Sequence, residues 1–151
     1  MPDIKISIAL CWILPFLLLP YSIYSQTKNA FETATTFRCE FPDGITSNWD
    51  NGKLSLDKAR MRSNVVFISK INKQVHSAVM TGNIGKGPVS LVIGNKVIHF
   101  TEVTPTGDFT VMTLFNKPLS HFDFPAVWSR HVMKFGAPVV SQYYGKCRRL
   151  D

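Results

Sequence analysis

Apolar and polar residues alternate with a period of two along most of the chain after residue 34. Phe37, Cys39 and Phe41 alternate with polar neighbours, which predicts a half-buried strand whose cysteine faces inward. Further runs of this kind predict strands over 65–71, 75–81, 89–93, 97–103, 109–115, 126–132 and 139–147. Short strands joined by tight turns favour an antiparallel sandwich or barrel. The predicted fold class is all-β, an antiparallel meander closed or nearly closed into a small barrel or sandwich.

Asn51-Gly52 is the strongest hairpin signal in the chain, because both central positions of a type I′ turn need positive φ. This turn predicts that Trp49 lies opposite Leu54, and we assign Trp49 to the core. Only over 54–62 could a short helical turn compete with a strand.

A second turn signal fixes which side of the next strands faces the core. A two-residue turn at 94–95 predicts a hairpin in which Leu91 lies opposite Ile98. The turn after it combines a proline with a glycine, and its register pairs Glu102 with Thr110 on the core side, close to the rim of the sheet.

The N-terminus is typical of an exported protein. Residues 6–20 are apolar and uncharged, a run shorter than the roughly twenty residues of a membrane span but suited to a signal-peptide helix. Ser25 offers a small residue for cleavage before Gln26. The predicted plan is a signal peptide over 1–25, a flexible lead-in over 26–34 and a single β domain over 35–151. An uncleaved N-terminal anchor is the alternative; after leader removal we expect no transmembrane anchor, in a periplasmic or secreted protein.

Leader removal leaves Cys39 and Cys147 of the three cysteines. Disulfides persist in oxidising compartments, so these two residues are predicted to form a bridge. A pair of buried or reactive thiols is the alternative. A bridge would place the first strand beside the last or join the two sheets of an open sandwich.

The chain is basic, with a formal net charge of +7 and a pI of about 9.5. Its 45% hydrophobic and 18% charged residues exclude a disordered protein. Lysine and arginine concentrate in 53–73 and 146–149. Such a surface could meet an anionic envelope component, namely lipopolysaccharide, an acidic glycan or a membrane face, or serve only as a solvated face. A small ligand is the other candidate partner, and nucleic acid is not expected for an exported chain.

Recognisable catalytic chemistry is absent from the sequence. It contains no phosphate loop, dinucleotide fingerprint, nucleophile elbow or zinc-binding helix motif. None of the four histidines has a partner at metal-ligand spacing. We therefore predict no catalytic residue, no metal site and no cofactor.

Hydrogen-bonding and aromatic residues concentrate late in the chain, and five of them form the candidate ligand-binding set: Ser129, Arg130, His131, Tyr143 and Tyr144. Arg130 would supply a fixed cation for an anionic ligand, and His131 a donor that gains charge below about pH 6.5. Either tyrosine would supply a stacking face with a polar tip. The alternative is structural, with Arg130 paired to a carboxylate such as Glu102 or Asp123.

Several short motifs lie between residues 82 and 147. They include Gly82-Asn83-Ile84-Gly85, Ile98-His99-Phe100-Thr101-Glu102, Ala126-Val127-Trp128-Ser129-Arg130-His131 and Ser141-Gln142-Tyr143-Tyr144-Gly145-Lys146-Cys147. On these motifs the chain resembles a family of small, secreted, uncharacterised proteins of Gram-negative bacteria, in which a histidine often stands at the position of Trp128. The resemblance implies an exported β-protein and brings no established activity.

Three functions follow as hypotheses. The first is an exported, non-enzymatic module that binds a ligand or partner at a barrel mouth or between sheets. The second is a hydrolase with an unrecognised site, which a pocket lined by two or more titratable groups would favour. The third is an envelope-stress or inhibitor-type protein, which a protruding polar loop without a pocket would favour.

Overall fold

The computed structural model describes residues 31–61, 65–83, 85–120 and 122–151. The strands are β1 (Phe37–Asp50), β2 (Lys53–Ala59), β3 (Val65–Asn72), β4 (Ser77–Gly82), β5 (Gly85–Ile93), β6 (Val97–Val103), β7 (Phe109–Phe115), β8 (Asp123–Lys134) and β9 (Ala137–Arg149). Within these described ranges no helix has the length and hydropathy of a membrane span. The predicted leader, with its cleavage site at Ser25 and Gln26, lies outside them.

All strand pairings are antiparallel, and they close the sheet on itself. Neighbours run β1-β3-β4-β5-β6-β7-β8-β9, and β9 pairs again with β1. Eight strands thus form a closed barrel, while β2 is an additional strand that pairs with the second half of β1. The all-β prediction is confirmed in its closed-barrel form. Of residues 54–62, where a helical turn could compete, 54–59 are extended strand.

Cys39 and Cys147 lie directly opposite each other where β1 pairs with β9. Their sulfur atoms are 1.96 Å apart and both residues are fully buried. The predicted pairing is therefore confirmed, and the bridge lies where the first strand of the barrel meets the last.

The barrel interior is filled by the apolar side chains that the period-two pattern places inward. An eight-stranded barrel is just wide enough for such filling. Its largest fully buried members are Phe37, Phe41, Ile68, Ile98, Phe100, Met112, Leu114 and Phe124. At one end Phe31 packs on Phe124 with ring centroids 5.3 Å apart. This residue and Ala34, both in the predicted lead-in, are buried in the core, so residues 31–34 close this end of the barrel.

A β-bulge interrupts the pairing of β1 with β9. Phe41 and Pro42 lie opposite a single residue, Gly145, because the register shifts between Glu40 and Asp43. A Cβ atom on Gly145 would overlap the carbonyl oxygen of Glu40. Only glycine allows the two backbones to approach this closely.

The bulge reverses the face on which later residues of β1 lie. Phe41 is fully buried, whereas Ile45 and Trp49 are 44% and 48% exposed on the outer face. Leu54 lies opposite Trp49 as predicted and is exposed with it. The assignment of Trp49 to the core is therefore wrong, because one extra residue inverts a period-two pattern.

The predicted register of β5 with β6 is wrong by two residues, since Leu91 lies opposite Phe100. The amide of Gly94 donates to the carbonyl of Val97, so the turn residues are the two between them. An even shift keeps the same side chains inward. Leu91 and Phe100 are accordingly both buried, as the sequence predicts.

Candidate functional site at the open end of the barrel

The end of the barrel opposite Phe31 contains a cavity of about 170 Å³. Its lining comes from β4, β5, β6, β8 and the turn between β4 and β5: Met80, Gly82, Asn83, Gly85, Lys86, Gly87, Glu102 and Trp128. Asn83, Gly85 and Lys86 are exposed, while Met80 and Trp128 are buried. The cavity therefore leads from a polar rim to an apolar floor.

Trp128 joins the cavity to the core. Its ring packs at 5.7 Å from Phe41 and at 6.4 Å from Tyr143, measured between centroids. The residue is only 7% exposed, and among the described residues its indole Nε1 has no hydrogen-bond partner. A buried donor left unsatisfied costs about 1–3 kcal/mol. The cavity is thus lined by a residue with an unused donor.

Glu102 lies opposite Thr110 at the rim of the core side, as the sequence predicts. A Cβ atom on Gly87 would lie 3.1 Å from Glu102 Oε1, so the carboxylate lies close to a backbone that carries no side chain. Lys86 lines the same cavity, and no ion pair joins it to Glu102 within the described part of the chain. Two opposite charges are therefore available to a bound molecule.

Arg130 shares the inward side of β8 with Trp128. Its Cζ lies 5.9 Å from the centroid of the indole ring, a cation–π distance. Of the two carboxylates predicted as its structural partners, Asp123 is bound by Arg148, with Nε 2.7 Å from Oδ1. In the described residues Glu102 forms no ion pair with it either. Arg130 therefore contacts the indole ring of a cavity-lining residue and has no carboxylate partner among the described residues.

The five candidate residues predicted from the sequence divide between the two faces of β8 and β9. Facing the barrel end are Arg130 and Tyr143, and facing outward are Ser129, His131 and Tyr144. On the outer face the Tyr144 hydroxyl donates to Gln142 Oε1 at 2.8 Å, and Gln142 Nε2 donates to Ser129 Oγ at 3.3 Å. The structure therefore does not bring the five together in one site.

The sequence did not identify Trp128, Lys86 and Gly87 as residues of a candidate site. Trp128 stands within the segment 126–131 that the resemblance singled out, but an apolar side chain in an alternating strand reads first as core. A signal for Gly87 was present, since a glycine inside a strand often marks a close approach of other groups.

A second charged cluster lies on the outside of the barrel, around Asp123. This residue is 4% exposed, and its carboxylate accepts hydrogen bonds from Arg148 and from Lys146 Nζ, the latter at 3.0 Å. The Arg148 hydrogen bonds hold the pKa of Asp123 well below its ordinary range. Because these charged groups form hydrogen bonds with one another, the cluster links β8 to β9 and has a structural role.

Metal-ligating side chains do not converge in the part of the chain that the structure describes, where no group of three His, Cys, Asp or Glu could hold an ion. His99 lies on the outer face, with Nδ1 2.9 Å from Thr113 Oγ1. His121 lies outside the described residues.

No protein-family model and no curated protein matches the chain. The resemblance of residues 82–147 to a secreted family stays a prediction.

Proposed function

We propose that the protein is exported and binds a small polar ligand at the open end of its barrel, without catalysing a reaction. The observation that carries this proposal is a cavity lined by Trp128, whose buried Nε1 is a donor without a partner among the described residues. A ligand acceptor that reached this donor would remove a cost of about 1–3 kcal/mol. That gain is available only when the ligand is bound.

The cavity limits the size and chemistry of the ligand. Pockets for drug-sized molecules hold roughly 300–1,000 Å³, so about 170 Å³ suits a smaller molecule or the terminal unit of a longer one. Glu102 would accept a hydrogen bond from a hydroxyl or ammonium group, and Lys86 would donate to an acceptor or an anion. The Trp128 ring would cover an apolar face. A sugar unit or an amino acid combines these features.

Export is supported by the disulfide and by the leader-like sequence. A bridge between Cys39 and Cys147 persists in an oxidising compartment and is rare in a reducing one. The apolar run over 6–20 has the length of a signal-peptide core. Both features fit a periplasmic or secreted protein.

Native mass spectrometry of the protein purified from its own periplasm or medium tests ligand binding. We expect a mass above that of the polypeptide, and we expect Trp128→Phe to lose it while keeping a cooperative thermal transition. Trp49→Phe is the matched control, because Trp49 lies on the outer face away from the cavity. Retention of the same ligand by Trp128→Phe would contradict the proposal, as would an unmodified protein that carries none.

A hydrolase is the second candidate, because two titratable groups, Lys86 and Glu102, line the cavity. Incubation of the co-purified molecule with fresh protein separates the two functions. If the protein only binds the molecule, the molecule is recovered with unchanged mass. If the protein is a hydrolase, it cleaves the molecule, and the Glu102→Gln variant leaves the molecule intact. An inhibitor-type protein is not favoured, because the described barrel has a pocket and its longest hairpins carry exposed apolar side chains.

A further inference from the structure

Two hairpins project beyond the open end of the barrel. His131 is the last residue of β8 that pairs with β7, and β8 continues for three more residues, about 10 Å, to its turn with β9. The turn between β1 and β2 lies at the same end, because β1 pairs with β9 up to Asn48. Residues 44–60 and 129–143 therefore contain a four-stranded extension in the order β2-β1-β9-β8, here called the projecting sheet.

The two hairpin turns have the same backbone conformation but different residues. Asn51 and Gly52 have φ of 48° and 75°, and Phe135 and Gly136 have φ of 51° and 80°. Asn-Gly is the favoured pair for such a turn, whereas a bulky side chain at positive φ is unfavourable. Phe135 is also 97% exposed, so packing within the chain does not compensate. The fold therefore gives no reason for a phenylalanine at this tip.

The outer face of the projecting sheet carries a group of exposed apolar side chains. Six of its side chains are each more than a third exposed: Ile45, Trp49, Leu54, Leu56, Met133 and Val140. The opposite face is polar, and there Thr46 Oγ1 lies 3.1 Å from Ser141 Oγ. The bulge in β1 produces this inversion, so the apolar residues of β1 lie against solvent. An exposed apolar patch of this kind marks an interaction surface.

The charges of the projecting sheet select an anionic partner. Residues 44–60 and 129–143 contain five lysines and arginines against two aspartates. Lys134 Nζ lies 5.5 Å from the centroid of the Phe135 ring, and Lys53 begins β2 directly after the other turn. Lysine stems can lie along apolar groups while their ammonium groups reach the phosphates of a lipid surface.

We propose that the projecting sheet docks on an anionic lipid surface, with Phe135 and the neighbouring Trp49 and Met133 entering the headgroup region. Aromatic side chains flanked by lysines on a convex tip have the composition of an interfacial anchor. The core of a protein interface is instead depleted of charged residues. Docking in this way turns the cavity at the same end of the barrel toward the lipid.

Co-sedimentation with vesicles tests the proposal, using phosphatidylglycerol with phosphatidylethanolamine and, in parallel, phosphatidylcholine alone. We expect the purified protein to bind the anionic vesicles and to lose binding as salt is raised. Phe135→Asn gives the second hairpin the turn residues of the first, so its melting temperature should be equal or higher. Its partition into anionic vesicles should fall about tenfold, the scale of burying one phenylalanine side chain.

A control variant and a charge variant distinguish lipid docking from self-association. Leu119→Asn is the matched control, since Leu119 is exposed at the closed end of the barrel, and it should bind vesicles like the unmodified protein. Lys53→Gln with Lys134→Gln should weaken binding to anionic vesicles. Equal binding by Phe135→Asn and the unmodified protein overturns the proposal. The proposal is also overturned if the unmodified protein binds no vesicle but forms a dimer that Phe135→Asn dissociates. That result would assign the surface to a second copy of the chain.

Discussion

Removing the disulfide should lower stability by between about a third and nearly all of the free energy that keeps a domain of this size folded. Cys39 and Cys147 are 108 residues apart, and the chain-entropy model assigns a loop of this length about 4.7 kcal/mol. Domains of this size have unfolding free energies of about 5–15 kcal/mol. With an unfolding entropy of about 2.1 cal/mol/K for each of roughly 120 residues, the same loss lowers the Tm by about 15–20 °C.

The fold itself should survive, because β1 and β9 remain paired from Phe37 to Asn48 without the bridge. We therefore expect Cys39→Ala with Cys147→Ala to keep the native circular dichroism spectrum while its urea midpoint falls. The slope of the unfolding free energy against urea should rise, since an uncrosslinked unfolded chain exposes more surface. Reductant should shift the midpoint of the unmodified protein but not that of the double variant. A loss of less than about 1 kcal/mol would refute the loop-entropy reasoning.

Two further substitutions, with Gly136→Ala as a control for the first, test contacts that hold β9 in place. Gly145→Ala should cost more than about 3 kcal/mol, or prevent folding, because the added Cβ would overlap the Glu40 carbonyl oxygen. In Gly136→Ala the added Cβ would have no atom within 4 Å, so this variant should lose only about 1–2 kcal/mol, because of its positive φ. Thermal melts of the two variants compare the two effects. Asp123→Asn should lose at least about 1.5 kcal/mol at pH 7. Because the pKa of Asp123 is lowered in the folded state, the stability difference between the unmodified protein and Asp123→Asn should be complete above about pH 4 and should shrink as the pH falls toward that lowered pKa. Urea titrations at several pH values measure this difference. A stability difference that is independent of pH would contradict the ion-pair account.

The sequence predicts the strands well because their signals are local. Asn51-Gly52 requires a particular backbone turn, and the observed pairing of Trp49 with Leu54 follows from it. Glu102 opposite Thr110 follows in the same way from the proline and glycine of the next turn. The disulfide is predicted by counting cysteines in a chain that is predicted to be exported, and the closed-barrel topology places them in adjacent strands.

The site is harder to predict because it depends on interactions between distant strands. The bulge at Phe41 and Pro42 is visible only when β1 is aligned with β9, and without it Trp49 reads as core. Likewise the five candidate residues form two runs in the sequence, 129–131 and 143–144, yet adjacent strand positions face opposite sides. Trp128 becomes a site residue because it lines the cavity and because its Nε1 has no partner among the residues that the structure describes.

Gly145 connects the stability of the barrel to its two proposed surfaces. Its missing side chain lets β1 bulge, and the bulge keeps Phe41 in the core, against Trp128 at the cavity, while turning Trp49 outward. A straight β1 would continue the inward alternation of Phe37 and Phe41 and turn Ile45 and Trp49 toward the mouth of the barrel. The same backbone irregularity therefore keeps these two residues away from the mouth and adds them to the apolar face that we propose to dock on lipid.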